Sequence, residues 1–209
     1  MTACMIGWAH SKFGKLEEDD VESLVCSVAA EAIKDAGVSP EDVDAIYLGW
    51  YNGGFSKQDF GSSLVFNGID GLRFKPSTRV ENACATGSAA MHQGANFLEA
   101  KQGRVVLVIG VEKMTATPGP EIGGILLQAS YLKEESEIEG GFAGVFGQIA
   151  NGYFQKYGDK TDALARIAAK NHKNGCVNPY AQMKKDLGFE FCRDVSEKNP
   201  LVAGPLKRA

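Results

Sequence analysis

The fold class of this chain is decided by residues 77–111, which read STRVENACATGSAAMHQGANFLEAKQGRVVLVIGV. Within this stretch Ser77–Glu81 predicts a short strand and Cys84–Ala100 a helix. The apolar run over Arg104–Val111 is typical of a strand that is buried on both faces. Because a strand, a helix and a second strand in this order form a parallel crossover, the stretch predicts an α/β fold.

The same alternation extends toward the N-terminus. Ala3–Gly7 predicts a first buried strand, and Ala45–Trp50 predicts another. Between them Val21–Ala36 has apolar residues at i, i+3, i+4 and i+7, the spacing of an amphipathic helix. A single turn opens at Pro40, and Asp59–Asn67 predicts a further short helix. The whole pattern is a βαβαβαβ core of four strands.

The pattern changes after this core. Residues 115–141 form a Gly- and Pro-bearing insertion, followed by predicted helices over Gly144–Tyr157 and Asp162–Asn174. Phe189–Cys192 has the alternation of a last short strand. We therefore predict three parts, which are an α/β core over residues 1–114, a loop domain inserted after the fourth strand over 115–183, and a return segment over 184–209.

The composition is that of an ordinary soluble globular protein. Of 209 residues, 44% are hydrophobic, and 22 basic against 26 acidic side chains give a net charge of −4. This balance argues against nucleic-acid binding, which needs a clustered basic face. Five cysteines without a C-x-x-C pair indicate a reducing compartment. With no signal peptide and no apolar run near the roughly 20 residues of a membrane span, we expect a cytoplasmic protein.

The helix over Cys84–Ala100 carries small residues on every face, which indicates a helix buried in the protein interior. Cys84 lies in its first turn. The unpaired N–H groups and partial positive charge of a helix N-terminus favour a thiolate, the nucleophilic form of cysteine. The same N–H groups can stabilise an oxyanion on a substrate carbonyl. Cys84 is therefore a candidate nucleophile, and the alternative of a small buried hydrophobe stays open on the residues alone.

Other chemistry-bearing residues have simpler interpretations. His172 and Cys176 stand at i, i+4, a spacing that metal pairs use, but without further ligands nearby a helix-end histidine is the simpler interpretation. Cys4, Cys26 and Cys192 are interpreted as packing residues, with Cys4 and Cys192 in strands. Four aromatic residues bracket a glycine loop, namely Tyr47, Trp50, Tyr51 and Phe55. They are suited to line a pocket or an interface, and for at least two of them packing in the core or an interface is the simpler interpretation.

Several stretches together carry a resemblance to the thiolase family. They are VENACATGSAAMHQGANFLEAKQG at residues 80–103, DAGVSPEDVDAIYLG at 35–49 and VVLVIGVEKM at 105–114, which match the family in order and spacing. Two later stretches are similar to its sterol-carrier-protein-type branch, namely FAGVFGQIANGYFQKYG at 142–158 and LARIAAKNHKNGCVNPYAQ at 164–182. The resemblance covers nearly the whole chain.

The resemblance implies a thiolase-like fold and an acyltransferase activity on acyl-CoA thioesters, as thiolysis of a 3-ketoacyl-CoA or the reverse condensation of acetyl-CoA. It makes Cys84 the acyl-carrying nucleophile, with its backbone N–H in an oxyanion hole. Phe146 and Gly147 fall where the family's insertion lines the acyl pocket. Coenzyme A is then a co-substrate, with no tightly bound cofactor. Thiolases also pair through the strand before the nucleophile helix, here Ser77–Ala83, which implies a homodimer or homotetramer.

The chain departs from the family in length. Thiolases that resemble it are about twice as long, and their second half supplies a Gly-His-Pro histidine and a Cys-x-Gly cysteine. Neither motif occurs in this sequence, whose histidines are His10, His92 and His172. We therefore expect the nucleophile-bearing half of an acyltransferase, either as a fragment of a longer chain or as half of a split enzyme that a second polypeptide completes. The alternatives are a non-catalytic module that binds acyl-CoA or a partner protein, and a condensing enzyme of the same fold.

Overall fold

A computed structural model describes residues 3–17 and 19–209 and divides them into two compact units. The first unit comprises the described residues up to Ser11 together with those of Lys15–Thr117. The second comprises Lys12–Gly14 and Pro118–Ala209. Each described helix and strand lies wholly within one of the two units.

The first unit is built on a parallel sheet of three strands. Strand β1 (Ala45–Gly49) lies in the middle, with β2 (Ser77–Val80) on one side and β3 (Val106–Gly110) on the other. Gly49 is aligned with Val80 and with Gly110, so the three strands end at the same level. The predicted parallel α/β sheet is confirmed, and residues that follow each strand meet at one edge.

Helices cover both faces of this sheet. Helix α1 (Val21–Ala36) begins at a capping box of Asp20 and Ser23 and ends at Gly37, whose φ of 66° closes the helix in the left-handed conformation. The other helices of the first unit are α2 (Val65–Gly68), α3 (Thr86–Glu99) and the short 3₁₀ helices Pro40–Asp42, Gly61–Ser63, Asp70–Leu72, Ala83–Ala85 and Met114–Ala116. The predicted helix over residues 59–67 is thus a 3₁₀ turn followed by one α-helical turn.

The core lies between the sheet and the helices α1 and α2. Ile46 and Leu48 of β1 pack in it with Val25 of α1, and each is almost fully buried. The opposite face of the sheet meets α3, because a Cβ on Gly49 would lie only 3.2 Å from Thr86 Cγ2. The strand β1 is therefore buried on both faces, as parallel strands are.

Helix α3 is less buried than its composition suggests. Thr86, Ala90 and Gly94 form its buried stripe, one residue every four positions, and they face β1 and β3. Much of the remainder of the helix is exposed, so the prediction of a helix buried on every face is wrong for the described chain. The strand predicted over Arg104–Val111 is likewise buried chiefly at Leu107 and Ile109, which point toward the core.

The predicted first strand, Ala3–Gly7, is wrong. This segment has no strand hydrogen bonding in the structure and lies against α1 instead. The Trp8 N–H donates to the Asp35 carboxylate at 2.8 Å. Gly7 approaches the helix so closely that a Cβ would lie 2.6 Å from the Ala32 carbonyl oxygen. Contacts with the helix replace the predicted strand pairing, and Cys4 is exposed rather than a packing residue of a strand.

The second unit consists of five helices and a hairpin within the described residues. The helices are α4 (Gly119–Leu127), α5 (Leu132–Glu135), α6 (Gly141–Tyr157), α7 (Thr161–Val177) and α8 (Gly188–Arg193), and the hairpin strands are β4 (Leu201–Ala203) and β5 (Leu206–Lys207). The helices predicted over Gly144–Tyr157 and Asp162–Asn174 are confirmed, as α6 and α7. Helix α4 lies in the stretch that was predicted only as an insertion. The segment 184–209 lies in this unit, and the predicted three-part division stays a prediction.

The strand predicted over Phe189–Cys192 is wrong, because these residues belong to α8. The alternation that suggested a strand arises from other contacts. The ring of Phe189 is covered by the Arg166 guanidinium of α7, with its central carbon 4.8 Å from the ring centroid. Cys192 is buried, so it is a packing residue as expected, but of a helix rather than a strand.

Candidate active site

Three chain segments meet at the carboxyl edge of the sheet. Residues 50–52 follow β1, residues 81–84 follow β2, and Glu112 follows β3 two residues after its end. This edge is where ligands usually bind in open α/β sheets. Cys84, the predicted nucleophile, therefore lies at the edge where parallel α/β folds place their active sites.

Cys84 lies in the middle of the 3₁₀ turn Ala83–Ala85, directly before α3. Ala83 has a φ of 44°, a left-handed conformation that is uncommon for a residue with a Cβ. Its N–H donates to the Glu81 carboxylate, which holds the tight bend between β2 and the turn. The thiol of Cys84 is exposed to solvent, so a substrate can reach it. The sequence predicted that the helix begins at Cys84, whereas in the structure Cys84 lies in the 3₁₀ turn directly before α3.

Thr86 fixes this turn to the sheet. The Asn82 N–H donates to Thr86 Oγ1 at 2.8 Å, and the Thr86 hydroxyl donates to the Ala83 carbonyl oxygen at 2.6 Å. The Thr86 side chain is buried beside Gly49 at the end of β1. Hydrogen bonds on both sides of Cys84 thus hold the turn rigidly, which is the support that a reactive side chain needs.

Glu112 organises the loop after β1. Its carboxylate accepts hydrogen bonds from the Trp50 indole N–H and from the Asn52 N–H, each at 3.2 Å. The Tyr51 backbone N–H is a third donor. Burial raises the pKa of Glu112, and these donors, together with the charge of Arg79, oppose that rise. Sequence reasoning missed Glu112, although a carboxylate two residues after a buried parallel strand is a usable signal.

Arg79 holds the same loop from the side of β2. Its Nε donates to the Trp50 carbonyl oxygen at 3.0 Å and its Nη2 to the Tyr51 carbonyl oxygen at 2.8 Å. Its Nη1 lies 2.9 Å from the Asp59 carboxylate, and its guanidinium carbon lies 5.0 Å from the centroid of the Trp50 ring. Arg79 and Glu112 together fix the backbone of the loop, and Arg79 was also missed from the sequence.

Tyr51 lies in the same loop after β1, and its ring meets that of Phe55 edge-on at a centroid distance of 6.4 Å. Burial raises the pKa of the Tyr51 phenol, and the charges of Glu81, Glu112 and Cys84 raise it further. The phenol is therefore protonated at neutral pH, and Cys84 is one of its electrostatic neighbours. The sequence marked Tyr51 only as one of four aromatic residues suited to a pocket or an interface.

The predicted acyl-pocket residues lie in the second unit, on α6. Gly147 is buried against the hairpin, since a Cβ there would lie 2.9 Å from the Ala203 carbonyl carbon. Phe146 is about half exposed, and its ring contacts that of Phe142 edge-on at a centroid distance of 5.2 Å. Their predicted role in substrate binding stays a prediction, since Cys84 lies in the first unit.

The histidines occupy separate elements of the chain. His92 is on α3, eight residues after Cys84, which corresponds to roughly 12 Å along a helix axis. The His10 ring contacts the carbonyl oxygen of its neighbour Ser11. His172 belongs to α7 of the second unit. Within residues 3–17 and 19–209, no group of three or more His, Cys, Asp or Glu side chains is arranged to hold a metal ion.

The remaining cysteines differ in exposure, from the buried Cys192 through the partly buried Cys26 to the exposed Cys4 and Cys176. The Cys26 thiol contacts the Leu64 carbonyl oxygen at 3.6 Å, and burial raises its pKa, as it does for Cys192. The Cys176 thiol is exposed and lies 3.5 Å from the backbone carbonyl oxygen of His172. The described sulfur contact of Cys176 is therefore with the helix backbone rather than with an imidazole ring.

Comparison with known proteins gives a consistent result. Residues 3–188 match the family model described as "Thiolase, N-terminal domain". The chain is 34% identical over 208 residues to the acetyl-CoA acetyltransferase of Methanothermobacter thermautotrophicus, covering 97% of this chain and 51% of that protein. It is 28% identical to sterol carrier protein 2 of Gallus gallus, covering 87% of this chain and 34% of that protein.

A solved structure shows the same fold. The structure described as Ltp2-ChsH2(DUF35) aldolase superposes with a TM-score of 0.74 at 20% identity, over 99% of this chain and 51% of that one. The chain thus spans about half the length of the archaeal relative and of this structure. No helix in the described part of the chain is long and apolar enough to cross a membrane.

Proposed function

The chain belongs to the thiolase family, and on that basis we propose that it carries the nucleophile of an acyl transfer between acyl-CoA thioesters. The observation that carries the proposal is the position of Cys84. Its thiol is exposed, in a rigid turn between an edge strand and a helix, at the carboxyl edge of a parallel sheet. A nucleophile needs this combination of access and fixed direction.

The proposed reaction runs through a covalent intermediate. The Cys84 thiolate sulfur attacks the keto carbon of a 3-ketoacyl-CoA, and the bond to the acetyl-CoA portion breaks. The electron pair of that bond leaves with acetyl-CoA, which takes up a proton. The thiol of a second coenzyme A then attacks the acyl-cysteine carbonyl, and the electron pair returns to the Cys84 sulfur. Condensation of acetyl-CoA is the same sequence in reverse.

Stabilisation of the oxyanion is assigned to backbone N–H groups at the start of α3. The turn around Cys84 leads directly into this helix, so its N–H groups lie at the positive end of the helix dipole. Donors of this kind stabilise a tetrahedral intermediate when they are fixed before the reaction begins. Coenzyme A acts here as a co-substrate, and Phe146 with Gly147 is proposed to contact the acyl group.

Proton transfer is proposed to come from outside the described residues. A cysteine nucleophile is activated by a neighbouring base, and His92 lies eight residues beyond Cys84 on α3. We propose that the base lies on further sequence or on a second polypeptide. The segment Ser77–Ala83, whose strand part is β2 (Ser77–Val80), is proposed to pair two copies of the chain, since β2 pairs with β1 on one side only among the described residues.

A second candidate function is a non-catalytic module that binds acyl-CoA or a partner protein. The distance of His92 from Cys84 along α3 favours it, because a nucleophile without an adjacent base turns over slowly when the chain is alone. In this case the chain binds coenzyme A without forming a bond to it.

The test is the covalent adduct itself. The intact protein is mixed with acetoacetyl-CoA and its mass is measured before and after mixing. Acyl transfer predicts the gain of one acetyl group, located at Cys84 by peptide mapping and lost in Cys84→Ala. Retained binding of coenzyme A without an adduct would reject the nucleophile and support the binding module.

A further inference from the structure

The hydroxyl group of Thr86 bridges the chain across Cys84. Its Oγ1 accepts the Asn82 N–H at 2.8 Å and donates to the Ala83 carbonyl oxygen at 2.6 Å. The Thr86 backbone N–H donates to the same carbonyl oxygen. Cys84 lies between the residues that these bonds join, so the bonds of a single residue enclose the turn that carries the cysteine.

These bonds fix the peptide units on both sides of Cys84. A peptide unit is planar, so the Ala83 carbonyl oxygen lies in one plane with the N and Cα of Cys84, and two donors from Thr86 hold that plane. The peptide unit after Cys84 is held by the Ala85 N–H, which donates to the Asn82 carbonyl oxygen at 2.9 Å. The Cα–Cβ bond of the cysteine therefore has a defined direction, although the residue itself is exposed.

The methyl group of Thr86 has a separate role. The side chain is buried, and a Cβ on Gly49 would lie only 3.2 Å from Thr86 Cγ2. This close approach is possible because residue 49, the last of β1, is a glycine. The methyl group thus packs the start of α3 onto the sheet, whereas the hydroxyl group holds the turn. Because the two groups act on different neighbours, substitutions can separate their effects.

We propose that Thr86 is a positioning residue for Cys84, and that its hydroxyl group, acting through the peptide units of Asn82 and Ala83, holds the sulfur in the direction from which it attacks a carbonyl carbon. Reactions between fixed groups lose much of their speed when one group is displaced by even an ångström. The proposal rests on the proposed function in taking Cys84 as the atom that accepts an acyl group.

The test compares two reagents that react with the same sulfur and need no coenzyme A. With p-nitrophenyl acetate the Cys84 sulfur attacks the carbonyl carbon, and p-nitrophenolate leaves with the electron pair of the broken ester bond. With a dithiodipyridine the sulfur forms a disulfide, and one pyridinethiolate leaves. The acetyl transfer requires a fixed direction of attack and a stabilised oxyanion, whereas the disulfide exchange requires chiefly an accessible thiol.

The two rates at Cys84 are measured by peptide mass spectrometry, and the ratio of acetylation to disulfide exchange is taken. A change in general thiol reactivity affects both rates, so the ratio reports the direction of attack. In Thr86→Val, which keeps a methyl group against Gly49 but lacks the hydroxyl, the ratio is expected to fall by about tenfold or more. In Thr86→Ser, which keeps the hydroxyl, the ratio is expected to match that of the native protein.

Thr115→Val is the matched control. Thr115 is exposed, and its Oγ1 donates to the Lys15 carbonyl oxygen at 3.0 Å, so the same substitution removes a comparable hydrogen bond outside the Cys84 turn. Its ratio is expected to equal the native one. If Thr86→Val does not fold, Thr86→Ala takes its place, because alanine also lacks the hydroxyl and introduces no new group.

A native ratio in the folded Thr86→Val protein overturns the proposal, and so does a ratio in Thr86→Ser that falls as far as in Thr86→Val. A native protein whose Cys84 reacts with the dithiodipyridine but not with p-nitrophenyl acetate also overturns it. A ratio that depends on the Thr86 hydroxyl, in a protein that acetyl-CoA never acetylates, supports the assignment of Thr86 and rejects the proposed acyltransferase. The failure of the positioning role and the failure of the proposed function are therefore distinguishable.

Discussion

At the scale of single residues, the exposure of Cys84 depends on Ala83, which precedes it in the turn, and on Thr86, the first residue of α3. Ala83 takes up a left-handed conformation that directs the chain out of β2, and Thr86 ties the turn back to the sheet. The strain of the first residue is offset by the hydrogen bonds of the second. The sequence predicted Cys84 as the nucleophile, but the positive φ of an alanine carries no sequence signal.

The exposure of each cysteine predicts which thiols react. Cys4, Cys84 and Cys176 are exposed, whereas burial raises the pKa of Cys26 and of Cys192. Because only the thiolate reacts, brief treatment with iodoacetamide near neutral pH is expected to label the three exposed cysteines and to spare the other two. Peptide mass spectrometry with and without urea measures this. Labelling of Cys192 in the folded protein as fast as in urea would contradict the packing described here.

The raised pKa of Glu112 predicts how the stability of the protein depends on pH. The folded protein binds the Glu112 proton more tightly than the unfolded chain, whose carboxyl has the ordinary pKa of 4.5. Its contribution to stability is therefore complete below that value and is lost as the pH rises through the raised pKa. As the pH rises from 4.5 through the raised pKa, the free energy of unfolding of the native protein is expected to fall relative to that of Glu112→Gln.

Urea unfolding followed by tryptophan fluorescence, at several pH values, measures the difference between native protein and Glu112→Gln. Titrations of other carboxylates cancel in this difference as long as the two proteins share their remaining contacts. A difference that is constant with pH, or that grows as the pH rises, would show that Glu112 is not desolvated at the end of β3.

At the scale of elements, α3 lies close to the sheet because one of its two glycines, Gly94, faces β3. A Cβ on Gly94 would lie 2.9 Å from Val108 Cγ2, whereas a Cβ on Gly87 would meet nothing within 4 Å. Both glycines belong to the same helix. Packing against β3 requires glycine at residue 94 but not at residue 87.

Substitution of these two glycines by leucine is expected to have opposite effects. Gly94→Leu forces α3 away from Val108 and is expected to cost about 1–3 kcal/mol of unfolding free energy. Gly87→Leu improves helix propensity without a clash and is expected to gain up to about 1 kcal/mol. Thermal or urea unfolding of the two variants is the measurement. Equal effects would mean that α3 does not pack on β3 as described.

The elements that sequence reasoning predicted well are those with strong patterns. The alternation of β1 and β3 with α1 and α3 is recognisable because apolar side chains recur with the correct period. The errors are short segments whose state depends on contacts. Ala3–Gly7 is apolar enough for a strand but lies on α1, and Phe189–Cys192 alternates like a strand but packs on α7 as a helix.

At the scale of the whole molecule, the two units differ in how well their side chains are covered. The largest fully buried apolar side chains belong to the first unit, among them Trp50, Ile46 and Leu72. In the second unit, Phe146, Ile149 and Tyr153 are all exposed on α6. The sequence predicted the long helices of this unit correctly, but the covering of a helix face depends on neighbours that periodicity does not identify.

The proposed pairing through β2 predicts a dimer or a larger oligomer at micromolar concentration. Thr78 is exposed on this edge strand, and two-fold pairing brings each copy's strand against its equivalent. Thr78→Asp and Thr78→Lys each juxtapose like charges and are expected to weaken association by about tenfold or more. Thr115→Asp, an exposed threonine outside the strand, is the control. Sedimentation equilibrium measures all four proteins, and a native monomer would contradict the pairing.

The central claim is that Cys84 accepts an acyl group from one coenzyme A and gives it to another. The most direct test is exchange of the acetyl group between acetyl-CoA and isotopically labelled coenzyme A, because this exchange needs the nucleophile but no carbon–carbon bond chemistry. We predict label exchange through an acetyl-cysteine, abolished in Cys84→Ala. A protein that binds both coenzyme A species without exchange, or that exchanges label equally well as Cys84→Ala, would contradict the account.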